Sequence, residues 1–234
     1  MNLPKIEPIV TSLLERSQTT QPPVSLARIA KLWAGLEVTL EDIDGEGFIL
    51  DLGRVGGQIM VKRHSKFERQ RYSVAHELGH WQLKEFGIPL NGSLKADRDQ
   101  AVEKWCNKFA CALLIPKPWI KRDLQHVEGR ALVNTILCLP DKYKVSRESL
   151  LIRVAEVSFI NLMEMTKDGA NWTHRQYKSR LMPLNLDKYK NRLQSILDDS
   201  QFTGQEVFED HNQGVFKVIR KDGKRCQWLV VFVQ

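Results

Sequence analysis

Tyr72-Ser-Val-Ala-His76-Glu77-Leu-Gly-His80-Trp-Gln-Leu83 contains the pattern His-Glu-x-x-His. In a helix, residues four apart stand one turn apart on one face, so His76 and His80 can converge on a single metal ion. Glu77, the next residue round, would then serve a water activated by that metal, the arrangement that metal-assisted hydrolysis of an amide needs. Val74, Ala75, Leu78, Trp81, Leu83 and Phe86 place apolar groups nearly all round this segment. A helix from Tyr72 to about Phe86, buried inside the domain, is therefore expected. Two imidazoles and a carboxylate buried there need partners, and a metal supplies them. Gly79 inside the helix costs about 1 kcal/mol relative to alanine, which points to close packing or close approach of a strand at that position.

A zinc ion in a hydrolase takes three protein ligands and keeps one position open for water. A second long helix is expected from Asp97 to Ile115, ended by Pro116 and Pro118. Its apolar stripe is Val102, Trp105, Cys106, Phe109 and Leu113, and Glu103, Asn107, Ala110 and Leu114 form the adjacent one. A carboxylate beside buried positions wants a cation, which makes Glu103 the best third ligand. Glu85, on the first helix itself, and Asp97 and Asp99, at the capping end of the second, are the alternatives. Asn107 is a candidate to orient Glu103 as a hydrogen-bond donor. For a second donor to the oxyanion, Tyr72, His64, His126 and Tyr143 all qualify by residue type.

Working outward, residues 4–20 carry the spacing of an amphipathic helix, and a second helix follows Pro22-Pro23, with Ser25 as its cap and Gly35 as its stop. From Leu36 to Phe67 the period changes to two. Glu37–Leu40, Gly47–Asp51 and Gln58–Lys62 are expected as three strands of a small antiparallel sheet, with Gly53 to Gly57 turning the last pair. A sheet edge there could hold an extended peptide across the metal, or the sheet could simply cover the core. The run from Lys62 to Arg71 holds five basic side chains and one acid, which fits a solvated loop or a rim for an acidic substrate or phosphate backbone.

Residues 117–165 look helical, with Arg130–Leu139 and a segment capped by Ser146 forming a helix-turn-helix-like pair across Pro140. The second of these shows only Arg147 and Arg153 as cations, which is weak for a DNA reader. A linker is expected at Asn171–Asn185, a short helix at Leu186–Ser200, and a hairpin at Gly214–Val233 turned by Asp222-Gly223. The fold class is α+β.

At 234 residues, with 42% hydrophobic and 27% charged, the chain can bury one full core with a small appendage. No stretch reaches the roughly 18 apolar residues of a membrane span, and the N-terminus has no apolar signal core, so a cytoplasmic location without membrane association is expected. Cys106, Cys111, Cys138 and Cys226 form no Cys-x-x-Cys pair and are expected as free thiols. The net charge of +7 is spread along the chain, which permits contact with nucleic acid or an acidic protein without demanding it.

Two blocks carry a family likeness. Tyr72-Ser-Val-Ala-His76-Glu77-Leu-Gly-His80, followed by Glu103-Lys-Trp-Cys-Asn107-Lys-Phe109-Ala110-Cys-Ala-Leu-Leu114-Ile-Pro116, resembles the ImmA/IrrE family of zinc-dependent endopeptidases over residues 1 to about 165. The resemblance implies a zincin-like core holding one Zn2+ per chain on His76, His80 and Glu103, with Glu77 as base. It also implies a specific cytoplasmic protein substrate, typically a helix-turn-helix transcriptional repressor, often encoded on a phage or mobile element. The expected organisation is a metallopeptidase domain at 1–125, a helical extension at 126–170 and a C-terminal α/β module at 171–234. The chain is expected to lack the N-terminal DNA-binding domain of some relatives and the sensory domain of the radiation-response members. The alternative function is a zinc-stabilised binding protein that sequesters a repressor or antitoxin-like partner without cutting it.

Overall fold

A computed structural model of the chain describes residues 3–53, 56–88, 100–168, 170–181, 183, 185–198, 213–222 and 225–233. The fold is α+β and divides into two compact units, Met1–Trp119 with Pro140–Leu150, and Ile120–Leu139 with Leu151–Gln234.

The first unit begins with helices α1 (Ile6–Arg16) and α2 (Leu26–Ala34). Ser25 occupies the N-cap position of α2 without a side-chain capping bond, whereas Gly35 ends the helix in the left-handed conformation at φ +61°. That conformation costs a glycine little. Strands β1 (Leu36–Glu41), β2 (Gly47–Asp51) and β3 (Gly57–Lys62) follow where the alternation places them. Their sheet is mixed, not antiparallel: the order is β1-β3-β2, with β1 parallel to β3 and β2 antiparallel to it. The segment between β1 and β2 carries the chain to the far edge, and β3 then inserts between them. Its alternating burial, with Gly57, Ile59 and Val61 inward, suits the central position.

Helix α3 (Phe67–Glu85) starts five residues before the expected Tyr72, so the end of the basic run is helical and not loop. Arg71 accounts for part of this, since its guanidinium donates to the Val24 and Lys144 carbonyls at 2.9 and 3.1 Å. Helix α4 (Gln100–Leu114) packs on α3, and its Trp105 indole donates to the Pro4 carbonyl at 2.8 Å. At the crossing, a Cβ built on Gly79 would stand 3.2 Å from both the Cys106 Cα and the Phe109 ring. The close approach expected at Gly79 is therefore made by α4, backbone against backbone.

Helices α5 (Lys117–Leu124), α6 (Gly129–Tyr143) and α7 (Arg147–Val157) come next. The structure carries α6 through Pro140 to the fully buried Tyr143, four residues beyond the expected end. Ser146 caps α7 as expected, its Oγ accepting from the Ser149 amide at 3.1 Å. In the second unit, β4 (Ile160–Asp168), β5 (Asn171–Tyr177), β6 (Gln213–Asp222) and β7 (Arg225–Val233) form an antiparallel sheet ordered β5-β4-β7-β6. The expected hairpin is thus half of a larger sheet; its turn at Gly223 lies outside the described residues. The expected linker is in part strand β5, and the end of the expected helical stretch is β4. Strand β5 hides its period of two because the half-buried positions are Trp172, His174 and Gln176, two of them polar. A turn of 3-10 helix at Leu186–Tyr189 leads into α8 (Lys190–Asp198). Buried Tyr177 donates to buried Glu164 at 2.6 Å across β5 and β4.

Gly79→Ala tests the helix crossing. The methyl group would raise helix propensity by about 1 kcal/mol, but overpacking against backbone costs about 1–3 kcal/mol, so a net loss of about 1 kcal/mol is expected in denaturant unfolding. A variant more stable than wild type would show that α4 moves away freely.

Candidate metal centre

Helix α3 sets His76 and His80 one turn apart, and the two rings meet edge to face with centroids 4.8 Å apart. Their Nε2 atoms are 3.1 Å from each other. From α4, Glu103 reaches both, with Oε2 at 3.3 Å from His76 Nε2 and Oε1 at 3.3 Å from His80 Nε2. All three side chains are shielded, with 13, 12 and 27% of their surface exposed. Ligand atoms bound at about 2.0–2.1 Å to a tetrahedral zinc stand roughly 3.3–3.4 Å from one another. The two nitrogens stand 3.1 Å apart and each has one Glu103 oxygen at 3.3 Å, close to that edge length, and with one ligand atom taken from each residue all three lie within 4.8 Å of one another. The donor set, two imidazole nitrogens and a carboxylate, can hold a divalent metal ion.

The other ring nitrogen of His76 has a partner of its own. Asn107, one turn after Glu103 on α4, sets its Oδ1 3.1 Å from His76 Nδ1 and accepts from the Tyr72 hydroxyl at 2.8 Å. The sequence pointed Asn107 at Glu103; its observed contacts run to His76 and Tyr72. Tyr72 lies one turn before His76 and stacks with it, centroids 6.4 Å apart. Burial, reinforced by Cys111, Cys106 and Glu103 nearby, pushes the Tyr72 phenol up. This contact was missed from sequence, although the i, i+4 spacing of Tyr72 and His76 already set them on one face.

Glu77 is buried, with 3% of its surface exposed, about 100° round the helix from His76. The alternative ligand Glu85 accepts from Gln82 at 3.1 Å and lies outside the cluster, and Asp97 and Asp99 lie outside the described residues. Among the other donor candidates, His64 sits on Asp42 at 3.3 Å, Tyr143 is fully buried, and His126 contacts Gln125 at 3.0 Å. The contacts of His64 with Asp42 and of His126 with Gln125 lie away from the histidine pair.

Two of the five basic side chains of the run, Arg63 and Arg69, lie against acids. Arg63 lies 3.9 and 3.8 Å from Glu41 and Asp42, and Arg69 lies 3.1 Å from Glu46. Burial opposes ionisation of Glu46, yet hydrogen bonds from Arg69 and Ser65 hold its carboxyl below the ordinary range. Among the described residues, no helix is long and apolar enough to cross a membrane.

Comparison with known proteins places this geometry. Residues 35–155, just over half of the chain, match the family described as Peptidase M78, the IrrE N-terminal-like domain, and the range takes in His76, Glu77, His80, Glu103 and Asn107. The radiation response metalloprotease IrrE of Deinococcus radiodurans is 32% identical over 104 residues, 42% of this chain and 30% of that protein. The chain therefore spans less than a third of that relative's length. A solved Mycobacterium tuberculosis transcriptional regulator shares the fold at TM-score 0.59 and 13% identity, covering 97% of this chain and 75% of that one. A match over more than half of its length shows that the chain belongs to the Peptidase M78 family of IrrE N-terminal-like domains.

Proposed function

We propose that the protein is a zinc-dependent endopeptidase with a zincin-like core, in which His76, His80 and Glu103 hold one Zn2+ and Glu77 is the catalytic base. The observation that carries the reading is the convergence of two imidazole nitrogens 3.1 Å apart with a carboxylate that sets one oxygen 3.3 Å from each, on a helix whose next residue, Glu77, is buried. Bound there, zinc would supply Lewis acidity, polarising the scissile carbonyl and lowering the pKa of water to about 7. Glu77 takes the proton of the attacking water and delivers it to the leaving amine nitrogen, so one carboxylate acts as base and then as acid. All four residues fall within 1–125, the expected peptidase domain.

The substrate we infer is a cytoplasmic regulatory protein, in the first place a helix-turn-helix repressor. The family resemblance supports this, and so does the regulatory sense of both relatives' names, a radiation response metalloprotease and a transcriptional regulator. A Glu77→Gln trap on the full chain, used to capture the partner from cells, tests it. Wild type should then cut the captured protein at a defined bond. Stoichiometric binding without cut products, insensitive to chelators, would instead establish a sequestering protein.

Glu77→Gln should bind zinc as wild type does and cleave at least about 100-fold more slowly, measured by the appearance of product termini. A variant that cuts at the normal rate would remove Glu77 from the mechanism. Zinc at a hundredfold excess over its Kd should stabilise the apo protein by about 3 kcal/mol in thermal unfolding. His76→Ala should abolish that gain, and an unchanged gain would place the metal elsewhere.

A further inference from the structure

We infer that Tyr72 and Asn107 act together as positioning residues that fix the tautomer and ring plane of His76; the inference rests on the zinc reading above. The chemistry of the contacts carries it. The Asn107 Oδ1 atom has no proton to give, so its 3.1 Å contact with His76 Nδ1 places the proton on Nδ1. A neutral imidazole carries one N–H, so in the neutral ring that a metal ligand must be, His76 Nε2 is the lone pair that faces Glu103 Oε2 and His80 Nε2. That is the form a cation requires.

The opposite amide orientation would direct an NH2 group at Nδ1 and leave the proton on Nε2, aimed into the cluster. Two features oppose it. The Tyr72 hydroxyl donates to the same Oδ1 at 2.8 Å and anchors the amide. A cation on Nε2 also makes Nδ1–H more acidic, which strengthens its bond to an acceptor and to no other group. Meanwhile the Tyr72 ring stacks with the imidazole at an interplanar angle of 30°. One tyrosine thus restrains both the ring and the group that sets its tautomer. Tyr72 reaches Asn107 because the two helices touch at Gly79; each residue stands one turn from a ligand on its own helix.

The test measures zinc affinity of the full chain by competition with a chromophoric chelator, together with thermal unfolding of the zinc-free form. Asn107→Leu keeps the size and loses the acceptor, and it should weaken zinc binding by about 10–100-fold while zinc-free unfolding stays near wild type. Asn107→Asp retains an acceptor for Nδ1–H and should bind zinc at least as tightly as wild type. Tyr72→Phe keeps the stacked ring and loses the hydroxyl; it should weaken zinc binding by less than Asn107→Leu does, and should have no effect in the Asn107→Leu background. Leu and Asp variants of equal affinity, or an Asn107→Leu protein that binds zinc as wild type does, would overturn the assignment. His80→Ala separates the two levels of the argument. If it loses zinc while Asn107→Leu does not, only the positioning role falls; if it binds zinc as wild type does, the zinc reading falls and takes this role with it.

Discussion

The contact between α3 and α4 at Gly79 is the constraint on which the rest of the site depends. With no side chain at that position, the Cys106 backbone can come within ordinary van der Waals distance of the α3 backbone. A helix pair held farther apart would leave Glu103 short of the two imidazoles, because all three side chains must span the same gap. Glycine in a helix interior costs about 1 kcal/mol, a local loss recovered through the packing of Phe109 and Cys106 against it. Trp105 and Arg71 secure the same arrangement from outside the crossing, through carbonyls of Pro4, Val24 and Lys144.

Once the helices are that close, polar chemistry decides what the crossing is for. Three shielded groups, each able to give a lone pair, meet at one point with no apolar surface to bury between them. In water such groups repel or trade protons; under low exposure they are stable together only around a cation or a shared proton. The Asn107 carbonyl tips this balance, since it holds the His76 proton on the side away from the cluster. Of the nearby arginines, Arg63 ahead of α3 lies against Glu41 and Asp42, and Arg69 in its first turn lies against Glu46.

The grouping of His76, His80 and Glu103 was legible in the sequence because each signal is local to one helix: two histidines four positions apart, and a polar position next to a clear apolar stripe. The three first-unit strands were legible for the same reason. Their order was not, since alternation marks a strand without naming its partner, and the mixed order β1-β3-β2 depends on where the chain crosses after β1. Strand β5 stayed hidden because His174 and Gln176 fill inward positions that usually carry apolar residues. Pro140 misled in the other direction: a residue that normally ends a helix sits inside α6, whose last turn buries Tyr143. Asn107 lay on the right face, but its partner is set by the distance between helices, which no periodicity encodes.

The most direct measurement of the central claim is X-ray absorption at the zinc edge on the metal-loaded full chain. The account predicts one zinc per chain with two imidazole nitrogens and one carboxylate oxygen in its first shell, at about 2.0–2.2 Å, and no sulfur. Sulfur scattering at about 2.3 Å, which would bring in Cys106 or Cys111, or a first shell with fewer than two imidazoles, would contradict it.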